Sequence, residues 1–182
     1  FVDARSLGMT GLELPDAIEA RPGLLAKLEA IRVAAAVAMG IAATEEEART
    51  RIRNLPLVGI LAAPVDAPTL SGKTLPASSF HILARMISAG QPHKASPLTG
   101  AMCLAIAMRL PGTIAAELAR LPSDPDADLV VAHPSGLLPV AARLSREGEP
   151  HADEAVVYRT ARRLMQGSVL VPRRVLESAG NV

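Results

Sequence analysis

The sequence predicts an α+β fold in which a mostly antiparallel sheet wraps around one central apolar helix. Three observations carry that expectation. Between Lys94 and Arg109 no charged residue occurs, and Pro111-Gly112 closes the run, so a helix over about 99–110 is apolar on every side and belongs in the interior. Apolar or alternating runs bounded by turn residues precede it at 57–65 and 78–90. Four more strand-like runs follow at 128–133, 137–145, 154–165 and 167–172, separated by short polar links that suit antiparallel neighbours.

The elements follow from local signals. "LPDAIEA" (14–20) reads as a short helix or turn. "PGLLAKLEAIRVAAAVAMG" (22–40) reads as a long helix, with Pro22 in the first turn and Gly40 at its C-terminal end. Its charge-free second half, Val33 to Met39, is expected to be well buried. Thr44 and Glu47 have capping-box spacing and start another helix up to about Asn54. "LVGILAAPV" (57–65) reads as a buried strand. In "SSFHILARMISAG" (78–90) a period of two puts Phe80, Ile82, Ala84 and Met86 on one face and His81, Leu83, Arg85 and Ile87 on the other. "PGTIAAELAR" (111–120) adds a further helical turn or two, and "LPSDPDAD" (121–128) is a loop.

Composition excludes several classes. The 182 residues suffice for one domain with a genuine core, or for a large part of a two-domain protein. The formal net charge is +1 and the basic residues are scattered, so no nucleic-acid footprint appears. Only Phe1, Phe80 and Tyr158 are aromatic, which leaves no stacking platform. The single cysteine, Cys103, excludes an internal disulfide, suits the reducing cytoplasm, and sits among apolar neighbours as an inert core residue. The four histidines lack zinc-like spacing, so no metal is expected. No signal peptide or membrane span is apparent. Phe1-Val2-Asp3 opens the chain as if just after a strand, and the segment reads as part of a longer protein.

Few residues point to chemistry. "SGKT" (71–74) lacks the second glycine of a phosphate-binding loop, since Ala67 stands there, and Pro68 and Pro76 interrupt the strand–loop–helix context. A tight turn with Lys73 directed at a cleft is the better reading. His133 and Ser135 in "AHPSG" have no third partner for a hydrolase triad. The start of the central helix is more telling. Its first turn has unpaired N–H groups and the positive end of the helix dipole, Thr99 is placed to cap it, Gly100 opens the backbone, and His93 and Lys94 stand just ahead. That pattern fits a carboxylate or phosphate site.

"GKT" (72–74), "LARMISAGQPHKASPLTGA" (83–101), "HPSGLLPV" (133–140) and "RTARRLMQG" (159–167) resemble the PrpF family of aconitate and methylitaconate isomerases and oxalomesaconate tautomerases, as do "GLELP" and "LEAIRVAAAVAMG" near the start. The resemblance implies a diaminopimelate epimerase-like fold of two similar domains with the active site between them. Residues 1–54 would be a helical interdomain segment and 55–182 the second, C-terminal domain, the N-terminal domain lying ahead of Phe1. It implies substrate-binding residues His93, Lys94, Thr99, Gly100 and Ser88, with Lys73, His133 and Ser135 as lesser candidates. It implies a lysine and a cysteine as acid and base in the absent domain, so no catalytic residue lies in this segment. Epimerase relatives carry a second thiol two residues before the threonine, where this chain has Pro97. The expected activity is a cofactor-independent allylic double-bond shift in a small di- or tricarboxylate. The partners expected are that acid and the N-terminal domain, with no nucleic acid or membrane, and a homodimer is compatible. A binding module for such acids, or a purely structural cleft wall, are the alternatives.

Overall fold

The computed structural model describes residues 1–145, 148, 150–158, 162–168 and 170–173. Strand β1 (Val2–Asp3) and a short 3-10 turn (Ala4–Leu7) lead into helices α1 (Pro15–Glu19), α2 (Leu24–Ala38) and α3 (Glu45–Thr50). Strands β2 (Val58–Ala62), β3 (Ala67–Pro68), β4 (Thr74–Leu75), β5 (Ile82–Ser88) and β6 (Gln91–Pro92) follow. Helices α4 (Leu98–Arg109) and α5 (Ile114–Leu118) precede strands β7 (Leu129–His133), β8 (Gly136–Leu144) and β9 (Ala152–Val157).

Local chemistry explains these limits. Thr44 caps α3 by accepting the Glu47 N–H at 3.1 Å, and the Glu47 carboxylate reaches back one residue beyond the cap, to the Ala43 N–H at 2.9 Å, a variant of the capping box. Ala89 (φ 49°) and Gly90 (φ 76°) both take left-handed backbone between the paired Ser88 and Gln91, the signature of a tight hairpin turn. The SGKT tetrapeptide is the turn between β3 and β4, closed by Thr69 N–H to Lys73 O at 2.9 Å.

One seven-stranded sheet runs in the order β1-β2-β5-β7-β8-β9, with β6 pairing β5 near its end. The pairs β1/β2 and β5/β7 are parallel and the others in the sheet antiparallel. The parallel β5/β7 pair requires a crossover, and α4 and α5 supply it. Both faces of the central strands are covered, which is why β2 and β5 are apolar on both sides. One face packs Ile60, Leu83 and Ile87 against the 3-10 turn, α1 and α2. The other packs Leu61, Ile82, Ala84, Met86, Leu129 and Val131 against Ala101, Leu104, Ala105 and Met108 of α4.

Several expectations need correction. Phe80 lies in the α2-side core, opposite Ile82, because a 3-10 turn at Ala77–Ser79 ends just before it and the alternation starts only at Ile82. In the second half of α2, Val33 and Ala36 are buried, but Ala34, Ala38 and Met39 are exposed, since only one side of the helix meets other elements. The run 154–165 is a strand only as far as Val157, and the described residues of 162–168 and 170–172 form none; residues 159–161 and 169 lie outside the described set. A strand needs a neighbouring ladder for its backbone groups. Beyond β9, at the sheet edge, the described residues offer none, and Leu164, Met165 and Leu170 are exposed.

Candidate functional site

Most of the candidate residues gather beside strand β5. Strands β5 and β7 are parallel with Leu83 opposite Ala132, so His133 leaves the sheet alongside the middle of β5, whereas Ser88 lies at the far end of β5, where the antiparallel β2 begins with Val58 opposite Ile87. From Ser88 the chain turns into β6, where the His93 N–H donates to Met86 O at 2.8 Å. Residues 94–97 then carry it into α4. The turn at Pro134–Ser135, between β7 and β8, closes over this segment: Ser135 Oγ donates to Lys94 O at 2.6 Å. Pro134 O accepts the Leu70 N–H at 2.7 Å, which brings in the loop carrying Lys73. His93, Lys94, His133 and Ser135 thus belong to one neighbourhood, with Thr99 and Gly100 in the helical turn that follows and the loop of Lys73 tied on through Leu70, while Ser88 lies farther along β5 at its hairpin end.

The first turn of α4 differs from the sequence reading. The helix begins at Leu98 with Pro97 as its N-cap, and no side chain caps it. Thr99 is the second helical residue and does not cap. The Ala101 N–H is taken by Pro97 O at 2.9 Å, so the helix leaves the N–H groups of Leu98, Thr99 and Gly100 without an internal partner, two positions earlier than a Thr99 cap would place them. Pro97 explains the shift: its φ of −60° and ψ of 138° place an extended residue directly ahead of the helix. Gly100 serves the fold, because a Cβ there would stand 3.3 Å from Leu57 Cδ1 and 3.5 Å from Met86 Cε. Its small size lets β5 and the 57–58 segment close on the helix.

Cys103 is exposed, against the expectation of a core thiol. A charge-free helix offers no polar stripe to mark its outer face, and here that face is Thr99–Cys103, one turn apart. The strip opens onto a groove of about 510 Å³ lined by residues that include Leu55, Leu57, Met86, Thr99, Gly100 and Cys103, with no charged group among its lining. Ser96 carries no local signal that singles it out, yet its Oγ is buried with no hydrogen-bond partner among the described residues, two residues ahead of α4. The Lys94 side chain is exposed and forms no ion pair among the described residues. Among the described residues, no group of three or more His, Cys, Asp or Glu side chains is arranged to hold a metal, and no helix is long and apolar enough to cross a membrane.

Two histidines stand as neutral acceptors. His133 Nδ1 accepts the Ser135 N–H at 3.2 Å, and His81 Nδ1 accepts the Val130 N–H at 2.8 Å. Burial lowers the pKa of both, aided by the charge of Arg85 near His133 and of Arg109 near His81. Because both folded values lie below the ordinary 6.5, the unfolded chain takes up protons first. Their contribution to stability is complete above 6.5 and is lost as pH falls from there through the folded values. The urea midpoint should therefore drop between neutral pH and mildly acidic pH, and His81→Phe should flatten that slope. An unchanged midpoint across the interval would contradict the assignment.

Arrangement and topology define the class: an α+β domain whose crossover helix presents an uncapped N-terminal turn at the end of a mixed sheet. The chain belongs to the PrpF family, whose model, described as PrpF protein, matches residues 1–172. It is 35% identical over 177 residues to the 3-methylitaconate isomerase of Eubacterium barkeri, covering 97% of this chain and 46% of that protein. It is 37% identical over 174 residues to the 2-methyl-aconitate isomerase of Shewanella oneidensis, covering 95% and 43%. A crystal structure of a methylitaconate-delta-isomerase superposes with a TM-score of 0.81 at 35% identity, over 93% of this chain and 43% of that one. The chain thus spans less than half the length of these relatives, and the shared fold is the isomerase fold.

Proposed function

We propose that the complete protein is an isomerase that moves a double bond in a small di- or tricarboxylate, such as a methylitaconate, methylaconitate or oxalomesaconate, by an allylic proton shift without a cofactor. The observation that carries this reading is similarity, over more than nine-tenths of the chain, to relatives named for isomerising 3-methylitaconate, 2-methyl-aconitate and (4E)-oxalomesaconate. In this reading residues 1–54 are an interdomain segment, 55–182 the second epimerase-like domain, and a preceding N-terminal domain completes the cleft. The N–H groups of Leu98, Thr99 and Gly100 hold one substrate carboxylate, with Lys94 adding positive charge and His93, Ser88, Lys73 and His133 bordering the site. The unpartnered hydroxyl of Ser96 supports a polar ligand at this helix end. A carboxylate fixed there stabilises the enolate-like charge that develops when a proton leaves the neighbouring carbon. In this reading the acid and base come from the N-terminal domain, and Pro97 stands where epimerase relatives carry a second thiol. A cytoplasmic location agrees with the single cysteine.

The test is deuterium incorporation at the allylic carbon, followed by proton NMR in D2O with each of the three acids. The complete protein should exchange and isomerise at least one of them. Binding of an acid without exchange would favour a non-catalytic binding module instead. Lys94→Ala should raise KM roughly 2–5-fold at low salt, as expected for a partly screened contact at a helix end, with the effect shrinking at high salt. A salt-independent KM would remove Lys94 from the site.

A further inference from the structure

We infer that Ser135 is a positioning residue: through its hydrogen bond to the Lys94 carbonyl it sets the segment that delivers the first turn of α4 to the substrate. The inference rests on the carboxylate reading of that turn, and it changes the role of Ser135 from a lesser candidate for substrate contact to a brace acting through another segment.

The turn at Pro134–Ser135 joins β7 to β8, with His133 paired to Gly136 across it. A hydroxyl on such a turn ordinarily faces water. Here three polar groups of the turn are engaged by the protein. The Ser135 N–H is held by His133 Nδ1 at 3.2 Å, which fixes the orientation of the residue. The Pro134 carbonyl accepts the Leu70 N–H at 2.7 Å. The Ser135 hydroxyl then donates to Lys94 O at 2.6 Å, across a separation of 41 positions.

The recipient is at a sensitive place. The segment leading into α4 is tied to β5 by the His93 N–H on Met86 O at 2.8 Å. The next tie is the one from Ser135 to Lys94. After it, the backbone makes no further hydrogen bond among those described until Pro97 O accepts the Ala101 N–H at 2.9 Å, inside the helix. Ala95, Ser96 and Pro97 therefore depend on the Lys94 anchor for their path. That path places both the Lys94 side chain and the uncapped N–H groups of 98–100. Gly100, pressed against Leu57 and Met86, holds the helix body from the other side. Removing the Ser135 hydroxyl should loosen the lead-in segment while leaving the helix seated. Ser135 is exposed, so the cost to stability should be small.

The variants Ser135→Ala and Ser135→Thr in the complete protein test this with two independent readouts. In Ser135→Ala, KM for the acid should rise about 3–10-fold, the weight of one hydrogen bond, with kcat within about twofold of the parent. Backbone order parameters of Ala95, Ser96 and Leu98 without any ligand should fall towards those of flexible backbone, while those in β5 and β7 stay as they were. Ser135→Thr, which keeps the hydroxyl, should restore both. A raised KM with unchanged order at 95–98 would mean that Ser135 touches the acid directly, and the brace would be overturned. Unchanged order and unchanged KM would overturn it equally. If none of the acids is turned over but order at 95–98 falls in Ser135→Ala and recovers in Ser135→Thr, the brace stands and the proposed reaction is what fails.

Discussion

Arg32→Ala should lower the unfolding free energy by about 3–5 kcal/mol, the range seen when one partner of a buried charged network is removed. Arg32 is only 3% exposed, on α2. Its Nε and Nη2 donate to the Glu29 carboxylate at 2.8 and 2.7 Å. Nη2 also reaches Ala48 O at 2.7 Å, and Nη1 reaches Ile52 O at 2.8 Å and Leu55 O at 2.7 Å. Glu29 is more than a third exposed, so the ion pair itself contributes little. The large part of the effect is the loss of the guanidinium's only neighbours for three carbonyls, together with the space it leaves. Arg32→Lys should recover less than half, because one ammonium cannot serve three divergent carbonyls and a carboxylate. Urea denaturation measures both. A loss below about 1 kcal/mol for Arg32→Ala would show that these carbonyls find water at no cost. The consequence reaches the site, since Leu55 lines the groove beside the first turn of α4.

Arg32 also marks where sequence reading ends. Within "LEAIRVAAAV" it looks like one more solvated charge, and only the folded chain shows which carbonyls surround it. The same holds for Arg85, buried in β5 with its Nε on Glu13 O at 2.7 Å and its pKa lowered by burial to about 10. What was legible had local causes. The apolar runs became β2 and β5, the Thr44–Glu47 spacing became a variant of the capping box, and the charge-free stretch became the helix packed against one face of the sheet. What was not legible depends on distant parts of the chain. The tie between Ser135 and Lys94 could not be read from either residue's neighbours, nor could the absence of a ladder for the described residues of 162–168 and 170–172. The start of α4 lay between: Thr99 has the chemistry of a cap, but Pro97, already extended, takes the position first.

Leu104→Ala should destabilise the domain by about 3–5 kcal/mol, while Cys103→Ser one position earlier should change stability by no more than about 0.5 kcal/mol. The contrast follows from the rotation of α4. Leu104 is fully buried and lies with Met86, Ala101, Ala105 and Met108 between the helix and the sheet. Truncation removes four side-chain carbons' worth of contacts less the one retained, and leaves a void that β5, buried on both faces, cannot close by moving. Cys103 points the other way, into the open groove with Thr99. A hydroxyl there meets water and needs no partner, whereas in the core it would be an unsatisfied polar group costing about 1–3 kcal/mol. The pair of variants therefore decides which face of an all-apolar helix is inside. Equal losses from both would mean that α4 is sheathed on every side, as its composition alone suggests. A large loss from Cys103→Ser with a small one from Leu104→Ala would mean that the helix is rotated from its position here, and the strip of Thr99 and Cys103 would no longer face the groove.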